Sequence, residues 1–441
     1  MVIYIARRFR SGRFGTGGPL TVTRAVCSFL AFLVLWSLPG YGQSQTVSRP
    51  PEFRLAVIQS LTGVAAPHDE AAVNAAQLLV ERINREGGLR GVPIKLIIRN
   101  EDGPVDAKVA EFRELVLSEK VNAVVGITSS SKCLAVAPVA EELRVLYVSA
   151  ICANHRLSEE RKYRYVFRTS SHAAMENVAA ARYVLRVKPD VKTVAGINYD
   201  YAYGRDSWEV FVGALKKLKP DVRVVGEIWV RFLETEYSAP ITQLLSLGAD
   251  VVHTVNWGAG LTAFIEQATV RRLIGGRSLL VMTTGLMEQA QRLPPGVLFS
   301  GRGYYLQHPD PRKYRPNREF IEAYRARFGK LPDYTGYYMA QAILGLKGAV
   351  ERAVDRRRGQ WPSTEEIARA FEDLRFETPR GEVWVRPDHE AEHEAVWGFT
   401  SGRVDREFGF PVLERLMVFK PREVFPPLGR KTMDWVREDL R

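Results

Sequence analysis

The chain has 441 residues, 46% hydrophobic and 25% charged, a composition that excludes a disordered or fibrous protein and supplies apolar material for more than one lobe. Its formal charge of +12 is partly local, because Arg7, Arg8, Arg10, Arg13 and Arg24 precede residue 43 with no acidic residue among them, and these five account for the difference between +12 and the +7 of the remainder. Later basic residues alternate with acids, as in Glu81-Arg82 and Glu351-Arg352, which reads as a solvated surface and not as the clustered basic stripe of a nucleic-acid binder.

The N-terminal arginines are followed by an apolar run from Ala25 to Leu38 and then by Pro39-Gly40-Tyr41-Gly42-Gln43. This is the anatomy of a signal peptide over residues 1–42. Fourteen apolar residues fall short of the roughly 20 needed to span a bilayer, which favours a cleaved leader over a permanent anchor. Cys27 opens the apolar run instead of closing it, so a lipoprotein cysteine is not indicated there. Cleavage would leave Cys133 and Cys152. An exported compartment permits a disulfide between them, and two separately buried thiols fit the sequence as well.

From residue 53, short β-branched runs alternate with longer amphipathic ones. Strands are predicted at Phe53–Gln59, Ile94–Arg99, Val121–Ile127, Val145–Ser149, Thr193–Asn198, Val222–Val230, Val251–Val255 and Leu279–Thr283. Between the first two, Asp69–Arg85 places Ala72, Ala75, Ala76, Leu79 and Ile83 on one helical face. Such β-α-β units specify parallel sheets covered by helices on both faces. Near Tyr163–Thr169 one strand follows another without a good helix between them, which marks a passage into a second sheet. A return is expected near Gly301–Tyr305, followed by helices at Asn317–Phe328 and Tyr334–Arg356 and strands at Glu382–Arg386 and Val396–Thr400. The reading is an α/β protein of two Rossmann-like lobes joined by three crossings. Lobe 1 would comprise 53–169 plus 302–377, lobe 2 would comprise 170–301 plus 378–425, and 426–441 would form a tail.

One motif argues for an enzyme. His389-Glu390-Ala391-Glu392-His393 satisfies H-E-x-x-H, which on a helix presents two zinc ligands and a general base. Pro387 before it and Trp397-Gly398-Phe399 after it leave little room for that helix, so a zinc hydrolase using His389 and His393 is the lesser reading. The phosphate-loop, nucleophile-elbow and C-x-x-C patterns do not occur.

Gln59-Ser60-Leu61-Thr62-Gly63, Asn74-Ala75-Ala76 and Ile83-Asn84-Arg85-Glu86-Gly87-Gly88-Leu89-Arg90-Gly91 together resemble the leucine/isoleucine/valine-binding proteins, the type I periplasmic solute-binding proteins of ABC importers. The resemblance continues through Gly126–Pro138, Val145–Asn154, Tyr203-Gly204, Trp257 and Pro332–Leu344. It implies a non-enzymatic receptor without cofactor or metal, monomeric and periplasmic. Such a receptor captures a small organic ligand by hinge closure and delivers it to the membrane subunits of an ABC transporter. A ligand-sensing module of the same fold is the rival within this resemblance.

The resemblance also places a site at the carboxyl ends of the strands. Ser129 and Ser130, just before a helix, are expected to hold a ligand carboxylate through hydroxyl and amide groups; helix N-capping is the plainer role for them. Ile151 and Ala153 fall on the next exit loop, with Ala153 where the family has a threonine. His68 takes the place of an aromatic wall residue, Tyr203 and Trp257 come from the second lobe, and Tyr334 opens a helix of the third segment. Gly285 stands where amino-acid binders carry the acid that pairs with the ligand's ammonium, with Glu288 a turn away. A buried ammonium lacking a charged partner is costly, so a small carboxylate, amide or aromatic acid is expected in preference to an α-amino acid.

Overall fold

The structure, a computed structural model, describes residues 48–441, and the expected signal peptide and Cys27 lie outside the described residues. Strand β1 (Phe53–Gln59) runs through the first sheet, buried at every position except Arg54, which is half-buried. It pairs in parallel with β2 (Ile94–Asn100) on one side and β3 (Ala123–Gly126) on the other. β4 (Leu146–Ser149) and β5 (Val166–Arg168) complete the order β2-β1-β3-β4-β5, all parallel. Near-continuous apolar strands are what a sheet covered on both faces requires. The helix Ala66–Arg85 packs closely against Tyr334–Arg356, which returns from late in the chain. Gly336 makes that approach possible, since a Cβ there would lie 2.9 Å from the carbonyl oxygen of Ala71.

The second sheet contains β6 (Thr193–Tyr199), β7 (Arg223–Val230), β8 (Val251–Thr254), β9 (Leu279–Met282) and the two-residue β10 (Leu298–Phe299). These five are parallel to one another. A separate antiparallel sheet follows, made of β11 (Leu374–Thr378), β12 (Gly381–Val385) and β13 (Ala391–Glu392). The chain then re-enters the second sheet with β14 (Ala395–Val404) and β15 (Pro411–Phe419), both antiparallel to their neighbours, giving the order β15-β14-β10-β9-β8-β6-β7.

The chain crosses between lobes after β5, after β10 and after β13. The third crossing corrects the expected boundary at 377/378, which would cut the β11–β12 hairpin. That hairpin buries Leu374, Val383 and Val385 in the same core as Tyr337 and Tyr338 of the first lobe. Its sheet is joined to the end of β5 by the amide of Arg168, which donates to the carbonyl of His389 at 2.9 Å. The passage into the second lobe therefore lies at His393–Glu394.

The tail contains the helix Thr432–Glu438, whose Trp435 and Val436 pack into the core of the second lobe with Trp208 and Phe211. Its first residue reaches the first lobe, where the Thr432 amide donates to Glu159 at 3.0 Å. Among the described residues no helix is long and apolar enough to cross a membrane.

Candidate functional site

The exits of β1, β3, β4, β6, β8 and β9 converge between the lobes, the position at which open α/β sheets place ligands. There the structure brings His68, Ser130, Ile151 and Ala153 of the first lobe around one cavity with Tyr203 and Trp257 of the second. Tyr334, at the start of its helix, closes the wall beside His68. Ser129 and Gly285 do not line this cavity. Thr128, Tyr201, Thr284 and Arg302 do, and the sequence reading did not include them.

His68 is held from both sides. Its Nδ1 lies 2.7 Å from Asp69 Oδ1, and its Nε2 makes a close contact with the Tyr334 hydroxyl. The Trp257 ring packs on it with centroids 4.7 Å apart, so the two lobes touch through this pair. A second contact between lobes runs from the Met287 amide to Asp333, at 2.7 Å. Burial pushes the Asp333 carboxyl up to about 6 even though it accepts this bond and caps its own helix. The space left between the lobes is about 10 Å³, room for roughly one water, so the cleft is closed.

The serine loop differs from expectation in a specific way. The Ser129 amide, expected to face a ligand carboxylate, donates instead to Glu101 at 2.8 Å, and the Thr128 amide beside it donates to the same carboxyl at 2.7 Å. Glu101 is buried, and desolvation together with the nearby charge of Asp69 pushes its carboxyl up to about 7. Thr128 bridges the two acids, since its hydroxyl lies 2.9 and 3.0 Å from the Asp69 oxygens. Ser129 occupies the N-cap position of the helix Ser130–Leu143, yet its side chain makes no capping bond. Ser130 is the serine that faces the cavity, and its hydroxyl is committed to no other group among the described residues.

Arg302 sits at the second crossing in a left-handed conformation, φ 51°, between Gly301 and Gly303. Its Nε donates to Glu176 at 2.6 Å, Nη1 to the carbonyl of Ile151 at 2.6 Å and Nη2 to that of Ser171 at 3.0 Å. Three of its five N–H groups are thereby used and two remain. Glu176 also accepts from Tyr203 at 2.7 Å and Ser171 at 2.6 Å. In the sequence this crossing reads only as a change of sheet, although a non-glycine residue flanked by glycines at a hinge is a usable signal.

Gly285 has no room for the acid it replaces. Its φ is +127°, and a Cβ there would lie 2.7 Å from the Phe299 ring. Glu288 points away and pairs with Arg292 at 2.8 Å. No carboxylate therefore lines the cavity among the described residues.

Cys133, in the helix after Ser130, and Cys152, on the exit loop after β4, are joined by a disulfide with Cα atoms 6.5 Å apart. The H-E-x-x-H residues are not helical. His389 lies in a turn at φ 68° with its ring stacked on Phe167, and the residues that follow form β13. Extended backbone separates positions i and i+4 by about 13 Å, which removes the geometry that the zinc reading needs.

Two α/β lobes, three crossings and a site at converging strand exits define a hinged solute receptor. Residues 52–399 match the family model described as periplasmic binding protein, and the chain belongs to that family. The Leu/Ile/Val-binding protein homolog 3 of Brucella melitensis is 26% identical over 326 residues, 73% of this chain and 83% of that protein. Among solved structures, a solute-binding protein of an ABC transporter from Rhodopseudomonas palustris in complex with 3,4-dihydroxybenzoic acid superposes with a TM-score of 0.73 at 19% identity, covering 85% of this chain and 100% of that chain. A leucine-binding protein from Thermotoga maritima superposes with a TM-score of 0.68 at 20% identity, covering 84% and 99%.

Proposed function

We propose that the chain is the receptor of an ABC-type importer, working outside the cytoplasmic membrane after export through residues 1–42, and that it captures a small aromatic carboxylate between its lobes. The observation that carries the choice of ligand is the chemistry of the walls. The uncommitted groups facing the cavity are donors: the Ser130 hydroxyl, the Tyr201 hydroxyl, whose oxygen already accepts from Trp257 Nε1 at 2.7 Å, and two N–H groups of Arg302. The rings of His68, Trp257, Tyr203 and Tyr334 supply flat apolar surface. A carboxylate on an aromatic ring uses both, whereas an α-ammonium finds no acid to meet it.

With the lobes as close as they are here, a benzoate-sized molecule enters only after they part. Its contacts with Trp257 and Tyr203 then favour the closed form by their differential affinity. Titration calorimetry with benzoate, 3,4-dihydroxybenzoate and leucine tests the reading. An aromatic acid is expected to bind at least tenfold more tightly than leucine, with compaction in small-angle scattering at saturation. Nanomolar leucine binding together with no aromatic-acid binding would overturn it.

A further inference from the structure

A larger cavity, of about 500 Å³, lies away from the cleft on the outer side of the hinge. The end of β5 and the short helix before it form one wall, the turn Arg386–Glu390 another, and the start of the tail the third. Arg168 lies in its floor, with its side chain fully buried. The Arg168 guanidinium is ion-paired with Glu390 at 3.1 Å and lies in the field of Glu159, yet none of its nitrogens makes a hydrogen bond. An arginine carries five donors, and buried donors left unused are costly.

The surrounding acids leave these donors without a hydrogen bond. Glu390 has an unsatisfied oxygen of its own, and burial pushes its carboxyl up to about 7 despite Arg168. Glu159 is engaged by Thr432, and Asp388 by Arg386. Lys162 and Lys431 stand exposed at the rim with no ion pair among the described residues. Tyr163, Phe167 and Phe425 contribute rings to the walls. A planar guanidinium fork under apolar walls, with cations at the mouth, matches a carboxylate head on an apolar body.

We propose that this hinge cavity is a second binding site, specific for an amphipathic organic carboxylate, with Arg168 as the group that receives the carboxylate. The apolar walls distinguish such a ligand from a free inorganic anion, and the charge distinguishes it from a neutral lipid.

Calorimetry on the mature protein, with decanoate as the probe and decanol and inorganic phosphate as comparisons, tests the assignment. Decanoate is expected to bind saturably at one site, decanol and phosphate at least tenfold more weakly. Arg168→Met should weaken decanoate at least tenfold while the far-ultraviolet circular dichroism stays unchanged. Should that variant fail to fold, the exposed pair Lys162→Glu and Lys431→Glu, made together, carries the test and should weaken decanoate several-fold while leaving benzoate binding in the cleft as it is. Trp257→Ala should bind decanoate like the parent, which keeps this site separate from the cleft. Equal decanoate affinity in parent and hinge variants, loss confined to Trp257→Ala, or phosphate binding as tight as decanoate would each overturn the proposal.

Discussion

Arg302 and Glu176 form a buried ion pair at 2.6 Å, with side chains 4% and 3% exposed, and it ties the second crossing to the first helix of the second lobe. Arg302 also holds the carbonyls of Ile151 and Ser171, so one side chain links the cavity-lining loop after β4, the first crossing and the second lobe. Removing one partner of a buried pair leaves the other charge uncompensated. Arg302→Met is therefore expected to cost about 3–5 kcal/mol in urea unfolding, and a loss below about 1 kcal/mol would show that the pair does not hold the hinge.

Stability should depend on pH through Glu101. Its carboxyl is pushed up to about 7 in the fold, against about 4.3 in an unfolded chain. Between those values the folded state binds more protons than the unfolded one. The contribution is thus fully present below about pH 4.3, is lost as pH rises through about 7, and is constant above. The difference in stability between the parent and Glu101→Gln should change across that window and level off above it; a difference independent of pH would mean that Glu101 does not titrate in this range.

Restoring the acid at position 285 should not restore amino-acid binding. An aspartate there needs an unfavourable φ and meets Phe299 at 2.7 Å, so Gly285→Asp is expected to destabilise by about 1–3 kcal/mol and to leave leucine binding unimproved. Thermal melting and calorimetry with leucine read the two effects separately.

The disulfide closes a loop of 19 residues, and by the chain-entropy account its loss costs about 3 kcal/mol. Cys133→Ala with Cys152→Ala should lower the unfolding free energy by that amount in non-reducing buffer, read from denaturant unfolding. Adding dithiothreitol to the double variant should then change nothing further.

The alternation of β-branched runs with amphipathic helices made both lobes readable, because parallel strands buried on two faces carry an unbroken apolar signature. β1 runs over Phe53–Gln59 and β6 begins at Thr193, as the sequence suggested. Tertiary partners hid the rest. Nothing local in Gly126–Pro138 announces that Glu101, some 28 residues earlier, takes the amide of Ser129, or that Thr128, and not one of the three serines after it, bonds to Asp69. The expected boundary at 377/378 misses the third crossing because the sequence announces a strand at Glu382–Arg386 but not its partner β11. Only the packing of β11 on Tyr334–Arg356 assigns the hairpin to the first lobe.

The tail helix adds a tether that the three crossings do not account for. Thr432 is bound to Glu159 on one body while Trp435 and Val436 are seated in the other, and Arg386 grips the carbonyl of Pro426 at 2.8 Å just upstream. Two plates joined along one edge swing freely; a strap across the outside of the joint sets how wide they can gape. Such a strap would limit the bulk of solute admitted along with the walls of the pocket.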